Sequence, residues 1–230
     1  MIWDCFTDFA RLFFPNCCFG CGSTMVRGEE ILCTKCIFRL PYLSYGQDRK
    51  NPIVNRLVSV AEFRHGFALL QFQPYGIVQN LLHALKYQGK EEVGKRLGVL
   101  LGYRMFRQGY REQFDLVLPV PLHVSRERAR GYNQSEAFAT GLSLTLGKTL
   151  SNSAASRIKK TTTQTKKEKS DRWRNVRNAF MVKDPELISG KRILLVDDVI
   201  TTGATMEAYA EELMKYGPLS LSAACIADVA

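Results

Sequence analysis

The sequence predicts an α/β protein with a mostly parallel sheet, helices on both faces and a small four-cysteine zinc ribbon in front. Two observations predict it. Short apolar strands alternate with amphipathic helices along residues 57–230, and four cysteines stand in two Cys-x-x-Cys pairs before them. The 230 residues, 46% hydrophobic and 23% charged, suffice for one such domain and a small appendage. We expect a helix and the ribbon at 1–42, a linker at 43–56 and the α/β domain at 57–230.

The four-cysteine pattern is the first element that carries chemistry. Eleven residues separate Cys18-x-x-Cys21 from Cys33-x-x-Cys36, and each pair can direct two thiolates to one tetrahedral zinc ion. Cys17 is an alternative first ligand, because Cys17-x-x-x-Cys21 also has an allowed spacing, but two matching pairs favour Cys18. A disulfide cluster or buried thiols are the other interpretations. Four thiolates leave no open coordination position, so we expect a structural zinc.

The remaining elements follow from hydrophobic periodicity and turn residues. Helices are predicted at 4–14, 77–87, 91–107, 133–146 and 204–216. Strands are predicted at 57–63 and 67–72, around a turn at 65–66, and at 115–118, 191–196 and 219–227. Such alternation is typical of a parallel sheet whose binding loops cluster at the carboxyl ends of the strands.

The positive charge of the chain is concentrated in two places. The formal net charge is +10, yet residues 157–177 hold nine basic residues against two acids, and Arg126, Arg128 and Arg130 lie close together before them. A local excess of this kind predicts an anionic ligand, either a phosphorylated metabolite or nucleic acid. A solvated basic loop without a partner is the alternative.

The sequence favours a cytoplasmic protein without membrane insertion. No apolar run approaches the ~18 residues that a spanning helix needs. Asp4 stands where a signal peptide would carry Lys or Arg.

The most informative segment is a pair of acids followed by a hydroxyl-rich turn. Asp197 and Asp198 come after an apolar strand, and residues 201–205 read Thr-Thr-Gly-Ala-Thr at the start of a predicted helix. The backbone N–H groups of such a turn can hold one phosphate. Acids beside it would repel that anion unless they hold neutral hydroxyls or a cation, so a ribose 5-phosphate fits both halves. Helix capping by the acids alone is the alternative.

Residues 193–205 resemble the phosphoribosyl-pyrophosphate (PRPP) loop of type I phosphoribosyltransferases. Other pieces are similar to the ComF family of bacterial competence proteins, in the family's order. These are the ribbon at 18–36, His-Ala-Leu-Lys-Tyr at 83–87, Pro-Val-Pro-Leu-His at 119–123 with the arginines and Gly-Tyr-Asn-Gln at 131–134, and Thr-Gln-Thr at 163–165 with Arg172, Asn175 and Ala-Phe at 179–180. The resemblance implies a type I phosphoribosyltransferase-like fold behind a zinc ribbon.

The resemblance also implies roles for particular residues. Asp197 and Asp198 would be catalytic, contacting the ribose 2′- and 3′-hydroxyls directly or through Mg²⁺. The residues that would bind PRPP are Thr201, Thr202, Gly203, Ala204 and Thr205 at the 5-phosphate, Pro119, Val120, Pro121 and Leu122 at the diphosphate, and Arg126, Arg128 and Arg130 just beyond. The residues that would form a lid or contact DNA are Lys159, Lys160, Lys166, Lys167 and Lys169.

Two functions follow from the resemblance. One is Mg²⁺-dependent transfer of phosphoribosyl from PRPP to an unidentified acceptor, in a protein associated with DNA uptake in natural transformation. The other is non-catalytic: a PRPP sensor, or a single-stranded DNA-binding accessory that works with other DNA-uptake proteins.

Overall fold

The computed structural model describes residues 16–44, 51–57, 61–159 and 178–229. Its helices are α1 (Thr34–Arg39), α2 (Pro52–Arg56), α3 (Ile77–Tyr87), α4 (Glu91–Arg107), α5 (Val124–Arg130), α6 (Gln134–Leu146) and α7 (Ala204–Met214). Its strands are β1 (Phe63–Gln71), β2 (Leu116–Pro119), β3 (Thr149–Leu150), β4 (Ala155–Arg157), β5 (Phe180–Val182), β6 (Arg192–Ile200) and β7 (Ser220–Asp228). The helix predicted at 4–14 lies outside the described residues.

Five strands form one sheet in the order β1-β7-β6-β2-β3, and every neighbouring pair in it is parallel. Strands β4 and β5 form a separate antiparallel pair. The prediction of a mostly parallel sheet is therefore confirmed. Within the described ranges, no helix combines the length and the apolar character needed to cross a membrane.

Strand β6 is buried on both faces, as a central parallel strand should be. Leu194 and Val196 pack in one hydrophobic cluster with residues of α3, α4 and α6. Ile193 and Leu195, which alternate with them, pack in a second cluster with residues of α2 and α7. Helices thus cover both faces of the sheet, as predicted.

Strand β1 differs from the prediction of two strands, at 57–63 and 67–72, with a turn at 65–66. It is one strand, in which the register against β7 shifts between Phe63 and Gly66. Gly66 is needed for close packing rather than for a turn, because a Cβ there would lie 2.8 Å from Cβ of Ile53. Its carbonyl accepts a hydrogen bond from Nδ2 of Asn51 at 2.7 Å. A glycine inside a strand pattern therefore marks a bulge and a close approach here.

Helices α4 and α6 pack with their backbones in contact. A Cβ on Gly98 would lie 2.1 Å from the carbonyl oxygen of Phe138, and a Cβ on Gly141 would lie 1.9 Å from that of Lys95. Only glycine permits this approach at either position. The close contact fixes α6, whose first turn lies at the site described below.

The chain between the cysteines and α2 is partly tied to the sheet. The N–H of Leu43 donates to the carbonyl of Leu69 at 3.0 Å, and the N–H of Gln71 donates to the carbonyl of Pro41 at 2.9 Å. These bonds attach residues 41–43 to β1 at the edge of the sheet. They also bring the cysteine segment against α3.

Candidate functional site

A cleft of about 370 Å³ opens at the carboxyl ends of β2 and β6. Open parallel sheets bind their ligands in this position. One wall is the loop that follows β2 together with α5 and the first turn of α6, and the other is formed by the end of β6. The end of α3 closes the cleft on a third side.

Eight of the fourteen residues predicted to be catalytic or to bind PRPP meet in this cleft. Those that line it are Val120, Pro121, Leu122, Arg126, Arg130, Asp197, Asp198 and Thr205. Pro119 is buried at the end of β2, where it pairs with Val196. Arg128 is exposed and is not among the lining residues, and the turn 201–204 lies beside the cleft.

Two carboxylates form the acidic wall of the cleft. Oδ1 of Asp197 accepts hydrogen bonds from Oγ of Ser135 and from the N–H of Asp198, both at 2.8 Å. Oδ2 of Asp198 lies 2.9 Å from Nζ of Lys86, in the last turn of α3. Both acids belong to β6, which continues to Ile200 instead of ending at 196 as predicted. They are therefore held by the sheet and not by a loop.

The surroundings of Asp197 shift its ionisation. Burial raises the pKa of Asp197 to about 7, and the neighbouring Asp198 carboxylate contributes to this rise. The hydrogen bonds from Ser135 and the Asp198 N–H, and the charge of Lys86, act in the opposite direction. Such a pair is suited to hold neutral hydroxyls or a cation, since either reduces the repulsion between the carboxylates.

The first turn of α6 connects the two walls. Oδ1 of Asn133 caps this helix by accepting the N–H of Ser135 at 3.1 Å, while its Nδ2 donates to the carbonyl of Val120 at 3.0 Å. Oε1 of Gln134 accepts a hydrogen bond from Nη1 of Arg130 at 2.6 Å. The loop after β2 and one cleft arginine are thereby fixed to the helix that also holds Asp197.

Helix α5 carries the basic wall. The ring of His123 caps the helix, since its Nδ1 accepts the N–H of Ser125 at 3.2 Å. Arg126 and Arg130 lie one turn apart and therefore on the same side of the helix, towards the cleft. The guanidinium of Arg130 also lies 5.7 Å from the ring centroid of Tyr87. Two cations thus face the acids across the cleft.

A third arginine completes this wall. Arg157, at the end of β4, lines the cleft and lies over the ring of Phe180 at 5.3 Å. Burial and the charge of Arg126 lower its pKa, whereas Asp197 raises it. The sequence prediction counted Arg157 only as part of the basic segment.

The hydroxyl-rich turn leads from β6 into α7. Gly203 has a φ of 81°, and a Cβ at this position would lie 2.5 Å from Cδ2 of Leu57. Oγ1 of Thr202 accepts the N–H of Ala204 at 3.5 Å, where the helix begins. The first N–H groups of a helix have no acceptor within the helix, so the turn presents donors to an anion.

Sequence reasoning missed a further set of lining residues. These are Lys86, Tyr87, Asn133, Gln134, Ser135, Arg157 and Val199. Four of them lie in segments that resemble the family, and this resemblance could have identified them as site residues: Lys86, Tyr87, Asn133 and Gln134. No local pattern marks Ser135. Of the predicted lysines, Lys159 is exposed after β4, and Lys160, Lys166, Lys167 and Lys169 lie outside the described residues.

The predicted zinc ligands form a compact cysteine cluster. The Sγ atoms of Cys18, Cys21, Cys33 and Cys36 all lie within 4.8 Å of one another. Those of Cys21 and Cys33 are 3.8 Å apart, which matches the ~3.8 Å expected between tetrahedral thiolates ~2.3 Å from zinc. Sγ of Cys18 accepts the N–H groups of Gly20 and Cys33 at 3.4 and 3.3 Å. The exposed Cys17 is not part of the cluster.

The cysteine cluster rests on the start of α3. Nδ2 of Asn80 donates to the carbonyl of Gly20 at 2.8 Å. A Cβ on Gly20 would lie 2.9 Å from Cγ2 of Ile77 and 3.1 Å from Sγ of Cys36. The helix that carries Lys86 at its end is therefore packed against the cysteines at its beginning.

Comparison with known proteins agrees with this geometry. A family model for the phosphoribosyl transferase domain matches residues 97–230. DNA utilization protein YhgH of Salmonella typhi is 31% identical over an alignment of 209 positions that covers 87% of this chain and 86% of that protein. Competence protein F of Haemophilus influenzae is 29% identical over an alignment of 226 positions that covers 89% of this chain and 93% of that protein.

A solved structure, that of the allosteric regulatory enzyme of purine biosynthesis, matches with a TM-score of 0.40 and 20% identity over 59% of this chain and 25% of that chain. The chain thus spans about a quarter of that enzyme's length. Since the phosphoribosyl transferase model matches more than half of the chain, and relatives about 30% identical cover most of it, the chain belongs to the phosphoribosyl transferase domain family, in the ComF branch of DNA utilization and competence proteins.

Proposed function

We propose that this protein binds PRPP in the cleft and transfers its phosphoribosyl group to an acceptor in a Mg²⁺-dependent reaction. The observation that carries the proposal is the acid pair Asp197 and Asp198, which faces Arg126 and Arg130 across one cleft. A ligand with hydroxyls at one end and a diphosphate at the other matches these two walls. Membership of the phosphoribosyl transferase domain family supports the same ligand.

Each part of PRPP has a partner in this arrangement. The ribose 2′- and 3′-hydroxyls lie against Asp197 and Asp198. The 5-phosphate accepts hydrogen bonds from the N–H groups of the turn 201–205 and of the start of α7. The diphosphate lies along the loop 120–122, within reach of Arg126 and Arg130, whose guanidinium groups make strong directional hydrogen bonds to phosphate oxygens.

The donor set of the cleft fits Mg²⁺. This ion prefers oxygen ligands and binds through one or two carboxylates together with substrate phosphates, and both Asp197 and Asp198 line the cleft. Bound with PRPP, Mg²⁺ would neutralise charge on the diphosphate. Ser135 orients Asp197 for this role, and Lys86 holds Asp198.

The chemistry of the transfer needs no nucleophile from the protein. Departure of pyrophosphate builds positive charge at the anomeric carbon of the ribose and negative charge on the leaving group. Asp197 and Asp198 stabilise the first charge electrostatically, and Arg126 and Arg130 stabilise the second. Because these groups are held in place before the reaction, they stabilise the transition state without reorganising.

We further propose that the cysteine cluster binds one structural zinc ion. Four sulfur atoms within 4.8 Å of one another can form a closed coordination set, and Sγ of Cys18 accepts two backbone N–H groups that hold it in place. The zinc would fix residues 18–36 against α3.

The names of the relatives support a setting for this activity. A DNA utilization protein and a competence protein cover most of the chain, which favours a role associated with DNA uptake. In the alternative function, the cleft senses PRPP without turnover, or the basic segment after Arg157 holds single-stranded DNA as an accessory of the uptake machinery. The local positive charge supports this second candidate.

Calorimetric titration with PRPP and Mg²⁺ tests the proposed site. The variant Asp197→Asn with Asp198→Asn keeps size and removes charge, and should lose at least ~1–3 kcal/mol of Mg²⁺-dependent affinity, the range for lost charged hydrogen bonds. Asp184→Asn with Glu186→Gln removes two exposed acids elsewhere and is the matched control. Unchanged binding in the first variant would remove the two aspartates from the site.

Turnover and DNA binding are measured separately. Pyrophosphate release from PRPP against a panel of acceptors would establish transfer. Binding of PRPP without release for any acceptor would favour the sensor. Salt-sensitive binding of single-stranded DNA that survives loss of both aspartates would establish an independent DNA surface.

A further inference from the structure

Arg56, the last residue of α2, ties the start of the hydroxyl-rich turn to the neighbouring strand. Its Nη1 donates to the carbonyl of Thr201 at 3.0 Å and to Oδ1 of Asp228 at 2.5 Å, and its Nη2 donates to Oδ2 of Asp228 at 3.4 Å. Asp228 is fully buried in β7, directly opposite Ile200 of β6. Thr201 is the first residue after β6, so one side chain holds the turn at its origin.

The residue after Arg56 packs against the middle of the same turn. Leu57 is fully buried, and a Cβ on Gly203 would lie only 2.5 Å from its Cδ2. The carbonyl oxygen of Arg56 is 3.7 Å from the same point. Residues 201–203 therefore lie directly on the end of α2. This contact is independent of the hydrogen bonds made by the guanidinium.

We infer that Arg56 is a positioning residue for the turn 201–205, which it holds in the conformation that accepts a ribose 5-phosphate. The ligand part of this inference rests on the proposed function. A cradle of backbone N–H groups binds an anion well only if it is ordered beforehand, because ordering on binding costs affinity. The segment around Arg56 was expected to be a linker, and it precedes the matched family region at 97–230.

The geometry favours arginine over lysine at this position. The fork of the guanidinium reaches both carboxylate oxygens of Asp228 and the Thr201 carbonyl together. A lysine ammonium can neutralise Asp228 but presents a single charge centre on a flexible stem. Arg56→Lys should therefore keep the fold and loosen the turn.

A second arginine–aspartate pair, which involves the first residue of β6, provides a matched control. At the other end of the strand, Arg192 donates from Nε to Oδ2 of Asp115 at 2.9 Å and from Nη2 to Oδ1 at 2.5 Å. This pair also joins an arginine to an aspartate across segments distant in sequence, but it lies at the amino end of β6, away from the cleft. Arg192→Gln therefore reports on the general effect of losing such a pair.

Two measurements on the full chain test the inference. Hydrogen exchange of the protein in buffer without Mg²⁺ follows the amides of 201–205, and calorimetry follows ribose 5-phosphate and pyrophosphate separately. Arg56→Gln should speed exchange in 201–205 and weaken ribose 5-phosphate binding about tenfold or more, the equivalent of a lost charged hydrogen bond. Pyrophosphate binding, on the opposite wall, should change by less than about threefold. Arg192→Gln should leave exchange at 201–205 unchanged.

Each alternative result has a defined meaning. Equal losses for ribose 5-phosphate and pyrophosphate, or unchanged exchange at 201–205, would overturn the positioning role. Arg56→Gln leaves the charge of Asp228 buried without this partner, and the variant could fail to fold for that reason alone. In that case the double variant Arg56→Gln with Asp228→Asn, which removes the charge, replaces it. Failure of the double variant to fold would also overturn the inference. If the unaltered protein binds no ribose 5-phosphate, the proposed function fails, while faster exchange in Arg56→Gln would still establish the positioning of the turn.

Discussion

The ammonium of Lys86 lies 2.9 Å from Oδ2 of Asp198, and this ion pair joins the end of α3 to the acidic wall of the cleft. Both side chains are largely buried, at 23% and 16% exposure. The contact places one fixed positive charge beside two carboxylates. A helix that precedes the matched region at 97–230 thus supplies a residue of the candidate site.

Replacing Lys86 with Gln should weaken PRPP binding and increase its dependence on Mg²⁺. Without the ammonium, Asp197 and Asp198 repel an anionic ligand more strongly, and a bound cation must compensate. We expect affinity at low Mg²⁺ to fall about threefold to tenfold, as for a partly buried ion pair, and the loss to shrink as Mg²⁺ is raised. Calorimetry over a series of Mg²⁺ concentrations measures this.

Two variants make the Lys86 experiment specific. Lys86→Arg keeps the charge and should retain most of the affinity. Lys95→Gln removes a lysine that pairs with Glu91 on α4, at 2.9 Å and outside the cleft, and should have no effect. A loss of equal size at every Mg²⁺ concentration would contradict the electrostatic explanation.

The raised pKa of Asp197 should appear in the pH dependence of stability. Its pKa is about 7 in the folded protein against an ordinary 3.8, chiefly because of burial. Between these values the folded state binds more protons than the unfolded state, so the free energy of unfolding falls as pH rises from about 4 to about 7 and then levels off. Below this window the group contributes nothing, because it is protonated in both states.

Asp197→Asn isolates this contribution. In denaturant titrations without Mg²⁺, the stability of the variant relative to the unaltered chain should grow from pH 5 to pH 7 and stay constant above. Effects of titrating groups that do not interact with Asp197 cancel in this difference, and the altered hydrogen bond to Ser135 adds only a constant. Because the adjacent Asp198 carboxylate interacts with Asp197, the pH-dependent part of the difference belongs to the pair. A difference that does not change with pH would mean that Asp197 keeps an ordinary pKa.

The features that the sequence predicted are those with a local signal. Cys18 and Cys21 lie in one turn, and Asp197 and Asp198 are adjacent in a strand whose apolar run is unmistakable. The members of each pair are close in the sequence, so their spacing alone predicts that their side chains lie together. The parallel sheet follows in the same way from repeated strand and helix periods.

The features that were missed depend on contacts between distant segments. Lys86 meets Asp198, and Arg56 meets Thr201 and Asp228, only because the strand order sets β7 beside β6 and α3 against the cleft. Periodicity does not encode strand order. The turn predicted at residues 65–66 was wrong for a related reason. Gly66 is small because it packs against Ile53, and the sequence alone does not distinguish a glycine needed for packing from one needed for a turn.

Serine replacement of Cys18 and Cys17 should separate the two candidate zinc ligands. Purified protein should hold about one zinc per chain, because four thiolates satisfy one tetrahedral ion. Cys18→Ser removes a buried member of the cysteine cluster and should lose the metal, whereas Cys17→Ser should keep it. Metal analysis of freshly reduced protein measures this. Zinc retained in Cys18→Ser and lost in Cys17→Ser would reverse the assignment, and no zinc in the unaltered protein would end it.

Replacement of five lysines by Gln should reveal which ligand the basic segment at residues 157–177 contacts. The variant changes Lys159, Lys160, Lys166, Lys167 and Lys169. If these lysines form a lid over the diphosphate, PRPP retention and any turnover should fall, because a lid contributes by closing over bound ligand. If they hold single-stranded DNA, PRPP binding should survive, and both DNA affinity and its dependence on salt should drop, since fewer counterions are released.

We expect the lid effect to dominate, because Arg157 lines the cleft only two residues before Lys159 and because the segment lies in the chain between the two loops that we propose bind phosphate. A control with the same loss of charge replaces exposed lysines elsewhere, namely Lys35, Lys95, Lys183, Lys191 and Lys215. If both variants weaken DNA binding equally, the effect is one of net charge and not of a DNA surface. Unchanged affinity for PRPP and for DNA in the first variant would mean that the segment is a solvated basic loop.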